Sequence, residues 1–96
     1  MRKHLVVAYD ISDPDRLRKV FKIMRGFGDH LQYSVFRCTL SDRERTRLTA
    51  ALSAVINQVE DQVLFIDLGP HDANVASRYT TLGRALLHPR RYALVV

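Results

Sequence analysis

The sequence predicts an α+β fold: one sheet with two helices on one of its faces. Three observations carry that prediction. Leu5-Val6-Val7-Ala8-Tyr9-Asp10 is an apolar, strand-forming run that ends abruptly in a carboxylate. Asp13-Pro14 and Ser41-Asp42-Arg43-Glu44 each read as a helix start, and apolar residues follow both at three-to-four spacing. Strand-like stretches flank both helical stretches, and helices alternating with a few strands pack as a two-layer sandwich.

Composition sets the frame. Ninety-six residues suit a single small domain spanning 1–96. A domain of that size buries only about 60–65% of its unfolded surface, so oligomerisation would add useful stability. At 47% hydrophobic and 26% charged, the chain is an ordinary globular protein. No apolar run approaches the roughly 20 residues of a spanning helix, so no membrane partner is expected. The basic start Met1-Arg2-Lys3-His4 leads into an apolar stretch that stops at Asp10, with no small-residue cleavage site beyond it. A cytoplasmic protein is the expectation. The single cysteine, Cys38, excludes an intramolecular disulfide and reads as a small core residue. Fifteen Lys+Arg against ten Asp+Glu give a net charge of +5, mostly as arginine. That balance suggests a polyanion partner, with a solvated basic surface as the plain alternative.

The elements follow in order. Residues 3–10 form a central strand with apolar residues on both faces. Leu5, Val7 and Tyr9 share one face; Val6, Ala8 and Asp10 share the other. Asp13 caps a helix that begins at Pro14, gains favourable charge from Asp15 and runs to about Arg25. Leu17, Val20, Phe21, Met24 and Phe27 form its core stripe. Arg18, Lys22 and Arg25 fall on another face, either as a solvated stripe or as a phosphate-contacting ridge. Gly26 and Gly28 end this helix. Leu31 to Leu40 is extended, and its apolar parity changes along its length. A bend or bulge near Ser34, splitting it into two short strands, fits that change. Ser41 and Glu44 make a capping box for a second helix reaching about Gln58. Leu48, Ala51, Leu52, Val55, Ile56 and Val59 are its expected buried stripe. Arg43, Arg45 and Arg47 crowd its first turns, against the helix dipole. Gln62 to Leu68 is the next strand, apolar on both faces and ended by Gly69-Pro70. Residues 71–88 are polar and weakly patterned; Ala76, Tyr79, Leu82 and Leu86 allow a short helix. A last strand, about 92–96, invites pairing with a partner chain's sheet edge.

The chemistry concentrates on one residue. There is no Gly-rich phosphate loop, Ser-His-Asp set, His pair or Cys cluster, and the four histidines are scattered. Asp10 stands at the tip of a buried strand, and an ionised carboxylate at the edge of a core is costly unless solvated, paired or bound to metal. Its commonest role there is that of a turn residue. Its alternative role is as a ligand: Mg²⁺ takes oxygen donors, uses one or two carboxylates and keeps several waters. One Asp per chain is a poor site, and two across a dimer axis make a plausible one.

With these residues in place, the chain resembles the small CRISPR-associated endoribonuclease family that accompanies the spacer integrase, the second of the CRISPR-associated protein families. The matching pieces are Val7-Ala8-Tyr9-Asp10-Ile11-Ser12-Asp13, Arg18-Lys19-Val20, Gly26-Phe27-Gly28 and Gln32-Tyr33-Ser34-Val35-Phe36 leading into Leu40-Ser41. They cover roughly residues 3–68. The resemblance implies a ferredoxin-like βαββαβ sandwich with an additional C-terminal strand, homodimeric, in which residues 92–96 cross to the partner chain. It implies Asp10 as the catalytic and Mg²⁺-binding residue, one from each chain, with Mn²⁺ as the alternate ion. It further implies a metal-dependent endonuclease on single-stranded RNA or double-stranded DNA, acting beside the CRISPR spacer integrase in spacer integration. The residues expected to touch nucleic acid are Tyr9, Arg16, Arg18, Lys19, Lys22, Ser34, Phe36 and Arg37. Where the family often has an acidic residue after Phe36, this chain has Arg37, and residues 70–90 match no motif of the family. Two rival expectations stand beside the enzyme: a DNA-binding scaffold that bridges integrase dimers without chemistry, and a toxin-like ribonuclease of similar fold.

Overall fold

The computed structural model describes residues 1–72, 74 and 78–86. Its elements are β1 (Lys3–Asp10), α1 (Pro14–Arg25), β2 (Gly28–Gln32), β3 (Val35–Leu40), α2 (Asp42–Ser53) and β4 (Gln62–Pro70). The four strands form one sheet in the order β2-β3-β1-β4, with every neighbouring pair antiparallel. This is the ferredoxin-like βαββαβ arrangement. The expected final strand at 92–96 lies outside the described residues, as does Ala76 of the expected late helix.

Register sorts the side chains. Val7 lies opposite Phe36 on β3 and Phe65 on β4, and Leu5 lies opposite Cys38. These residues face the helices. Leu5, Val7, Tyr9, Phe36, Cys38 and Leu40 pack with Val20 and Met24 of α1 and Leu48 and Leu52 of α2 in one core. The other sheet face carries Val6 opposite Ile66, Ala8 opposite Leu64, and Asp10 opposite Gln62. Leu64 and Ile66 are exposed, so this second face is an apolar surface that ends at Asp10.

Both helix starts follow from their capping residues. The Asp13 carboxylate accepts the backbone N–H groups of Asp15 and Arg16. Ser41 and Glu44 make the reciprocal capping box, each side chain accepting the other's backbone N–H.

Several expectations are corrected. Helix α2 stops at Ser53 rather than near Gln58. The helical ladder breaks at Asn57, whose N–H donates to the Asp61 carboxylate at 2.8 Å, while its side-chain oxygen accepts the N–H groups of Val59 and Glu60 in the turn that follows. Val55 and Ile56 still pack against the core, while Val59 swings out to 94% exposure. Leu17 is likewise exposed rather than part of the α1 core stripe. Gly28 opens β2 instead of ending α1. A Cβ there would collide with the Arg37 carbonyl oxygen and the Cys38 sulfur, so the close approach of β2 to β3 requires glycine. β4 runs on through Gly69-Pro70. No α-helix covers the described residues of 78–86, and Leu82 is 103% exposed.

The split of the extended stretch occurs at Tyr33-Ser34, between β2 and β3. Neither glycine nor proline makes the turn. Tyr33 itself takes the left-handed conformation, at φ 35°.

Candidate active site

The chain leaves β1 at Asp10 and reaches the start of α1 at Pro14. The connecting loop is held from below by a carboxylate that the sequence reading did not single out. The Asp61 side chain is 0% exposed. It accepts the Ser12 N–H at 3.0 Å, the Ser12 hydroxyl at 3.2 Å and the Asn57 N–H at 2.8 Å. Arg16 donates to it twice, from Nε at 2.8 Å and Nη2 at 3.2 Å. The Arg16 guanidinium reaches on to Glu60 at 3.1 Å and Ser12 Oγ at 3.2 Å. The Arg16 donors hold the Asp61 carboxyl well below the usual carboxylate range, and the Asn57 and Ser12 bonds act in the same direction against burial. Asp61 therefore ties the β1–α1 loop to the first turn of α1 and to the loop before β4. Ser12 and Asp61 are 49 residues apart, and that separation hides the pairing from local pattern.

Asp10 is the opposite case. It is exposed at the strand tip, on the sheet face away from the helices. Its carboxylate makes no hydrogen bond or ion pair with the described residues. Among the described residues no group of three or more His, Cys, Asp or Glu could hold a metal ion. Among the described residues, Asp10 is thus an unengaged carboxylate at the tip of β1, where the chain enters the loop that Asp61 holds.

The residues expected to contact nucleic acid separate into two sets. Arg18, Lys19 and Lys22 are exposed along α1, with Arg18 paired to Asp15 one turn back. These side chains remain at the surface of the helix that the Asp10 loop leads into. The second set is engaged internally. Phe36 is 0% exposed and packs against Tyr9, Phe21 and His30, so its ring is core and offers nucleic acid no surface. Tyr9 is also buried; burial pushes its hydroxyl pKa up, partly offset by a hydrogen bond with Ser34. The Arg16 guanidinium is spent on Asp61 and Glu60. Arg37, its side chain 13% exposed, pairs with Asp29 at 3.5 Å and lies 5.3 Å from the Tyr79 ring centre. Half-buried Ser34 accepts the Tyr9 N–H through its carbonyl, which pins the β2–β3 turn to the Asp10 end of β1.

The arginines of α2 lie elsewhere. That helix starts where β3 ends, beside the beginning of β1, as Arg2 shows by pairing with Glu44 at 2.6 Å. Arg43 and Arg47 are exposed there and Arg45 lies 5.1 Å from the Phe65 ring centre. The α2 arginines thus gather at the end of the sheet opposite Asp10. Cys38 is buried, and burial pushes its thiol up to about 12, as befits a core residue.

The arrangement defines a class: a ferredoxin-like protein whose first strand ends in an exposed carboxylate, unengaged among the described residues, and leads into a helix with an exposed basic face. The sequence pattern of the family described as CRISPR associated protein Cas2 matches residues 3–75, and the chain belongs to that family. It is 40% identical over 95 residues to a protein of Geobacter sulfurreducens named CRISPR-associated endoribonuclease Cas2, covering 98% of this chain and 99% of the relative. It is 42% identical over 91 residues to CRISPR-associated endoribonuclease Cas2 1 of Rhodospirillum rubrum, covering 95% and 88% respectively. The crystal structure of Streptococcus pyogenes Cas2 at pH 6.5 superposes with a TM-score of 0.73 at 32% identity, covering 83% of this chain and 99% of that one. A hypothetical protein from Thermus thermophilus superposes at 0.74 with 26% identity, covering 92% and 99%. The toxin-like reading gains nothing from these likenesses. No helix among the described residues is long and apolar enough to cross a membrane.

Proposed function

We propose that the protein is a CRISPR-adaptation nuclease that hydrolyses phosphodiesters of single-stranded RNA or double-stranded DNA, with Asp10 as its catalytic carboxylate. The observation that carries this reading is the state of Asp10. It is exposed, unengaged among the described residues, and stands at the strand tip just before the loop that Asp61 ties down at Ser12. The relatives named endoribonuclease support the reaction class.

A single carboxylate falls short of a metal site, but a pair of them with water fits Mg²⁺ or Mn²⁺. The apolar sheet face bearing Val6, Ala8, Leu64 and Ile66 ends at Asp10, so a second copy covering it would bring a second Asp10 toward the first. A divalent ion held there supplies charge stabilisation and an activated water. The chain's own residues do the rest. The two Asp10 carboxylates hold the site, Arg18, Lys19 and Lys22 bind the phosphate backbone, and the Asp61–Arg16–Ser12 network keeps the Asp10 loop from shifting. Preorganisation of this kind costs no rearrangement at the moment of reaction.

The second reading, a scaffold that bridges spacer-integrase dimers on DNA, draws on a separate observation. The exposed arginines of α2 sit at the end of the sheet far from Asp10, where they serve binding and not chemistry. Cleavage of RNA and of duplex DNA is measured across Mg²⁺ concentration and pH, wild type beside Asp10→Ala. Loss of metal-dependent cleavage in the variant supports the enzyme. Undiminished cleavage overturns it, and DNA binding that falls steeply with salt then supports the scaffold.

A further inference from the structure

The β2–β3 turn raises a question that packing does not answer. Its sequence is Gln32-Tyr33-Ser34-Val35, and two-residue hairpin turns ordinarily place Gly, Asn or Asp where φ is positive. Here the positive φ, 35°, belongs to a tyrosine. A bulky residue in that region is strained, and such strain concentrates at functional positions. The ring gains no core packing in return. Tyr33 is 87% exposed, whereas the other Phe and Tyr residues among those described are buried or half-buried. The turn is nevertheless firmly held: His30 Nε2 bonds the Tyr33 carbonyl oxygen at 2.7 Å, and Ser34 accepts the Tyr9 N–H at 3.0 Å. A rigid turn thus projects an aromatic face into solvent at the Asp10 end of the sheet.

An open groove of about 650 Å³ lies beside that ring. Its walls are the edge strand β2, with His30 and Gln32, and the segment carrying Thr80, Thr81 and Arg84. Arg84 is exposed and has no ion pair among the described residues. An exposed aromatic face, an unpaired guanidinium and hydroxyl and amide groups between them match the parts of an unpaired nucleotide: a base that stacks, a phosphate, and polar edges.

We propose that this groove binds one unpaired nucleotide of a single-stranded nucleic acid, its base stacked on Tyr33 and its phosphate on Arg84. The proposal rests on the nuclease reading and deepens it: the turn selects single strands next to Asp10. A base within a duplex is already stacked on its neighbours and has no face to offer Tyr33.

Binding of a fluorescently labelled oligouridine, and of a DNA duplex of equal length, is measured by anisotropy for four variants. Tyr33→Ala is expected to weaken oligouridine binding by about 5- to 150-fold, the range of one base–aromatic stack, and to change duplex binding less than about twofold. Tyr33→Phe keeps the ring and binds like wild type. Tyr33→Gly separates binding from folding: glycine accepts the positive φ, so the variant melts higher than wild type yet binds oligouridine as weakly as Tyr33→Ala. Arg84→Gln lowers the salt slope of oligouridine binding by about 0.7. Unchanged oligouridine binding in Tyr33→Ala and Tyr33→Gly overturns the proposal. So does an equal loss for oligouridine and duplex accompanied by a change in sedimentation, which makes the ring a protein contact. A wild type that binds no oligouridine overturns it as well. Asp10→Ala is assayed in parallel for cleavage. Tyr33-dependent binding without Asp10-dependent cleavage removes the nuclease reading and leaves the groove standing; the reverse result removes the groove alone.

Discussion

Asp10 and Asp61 are carboxylates at the same end of the sheet, and they lead opposite lives. Asp61 is buried and receives the backbone N–H groups of Ser12 and Asn57, the Ser12 hydroxyl and two donors of Arg16, Nε and Nη2. Asp10 stands two residues before Ser12, exposed and without a partner among the described residues. A carboxylate whose acceptor sites are filled by its own chain is fixed and cannot ligate anything else. A carboxylate left unfilled on a loop that its neighbour immobilises is positioned for a ligand. The loop owes its rigidity to one aspartate and its chemistry to the other.

Substitutions sharpen or break that division. Phe36→Ala sets the scale, because it removes a fully buried ring from the core without touching either loop. It should cost about 3–5 kcal/mol in denaturant unfolding. A small cost there would mean that the ring is less buried than the structure places it. Asp61→Ala should come next in lost stability, because it strands the Arg16 guanidinium and the Ser12 and Asn57 donors. It should also reduce cleavage with Asp10 intact, by loosening the loop. Arg16→Ala should destabilise less, since the Asp61 carboxylate keeps its Ser12 and Asn57 donors; a melting temperature equal to wild type would show that the pair is idle.

The pH dependence has a definite sign. The folded-state pKa of Asp61 is depressed, by Arg16 first. Its contribution to stability is therefore complete above the unfolded carboxylate value of about 4, and is lost as pH falls from there toward the folded value. Wild type should lose stability more steeply than Asp61→Asn below about pH 4, read from denaturant midpoints. Parallel curves would detach Asp61 from the acid response. The smallest effect belongs to Asp10→Asn, which should change stability by less than about 0.5 kcal/mol, as expected for a surface site with no partner.

How much of this the sequence disclosed depended on the range of the interaction. The strand ending in Asp10, the Asp13-Pro14 start and the Ser41–Glu44 capping box are local patterns, and each is found where its residues point. The break near Ser34 was legible as a change of apolar parity. Its agent was not, because a tyrosine at positive φ follows no turn rule. Val59 misled because it continues the helical apolar period past Asn57, whose side chain had already turned the chain. Phe36 sits in a motif, and a motif does not distinguish a core ring from a contact ring. Asp61 was missed for the plainest reason: its partners Ser12 and Arg16 are 49 and 45 residues away.

The central claim is that Asp10 acts in chemistry and Asp61 in structure. The most direct test measures metal-dependent RNA cleavage and the melting temperature together, in wild type, Asp10→Asn and Asp61→Asn. The prediction is a cleavage rate for Asp10→Asn lower by about 10²–10³-fold or more, the cost of losing a key electrostatic group, at an unchanged melting temperature, while Asp61→Asn melts clearly lower. Cleavage by Asp10→Asn at the wild-type rate, or a loss in that variant that only tracks a fallen melting temperature, would contradict it.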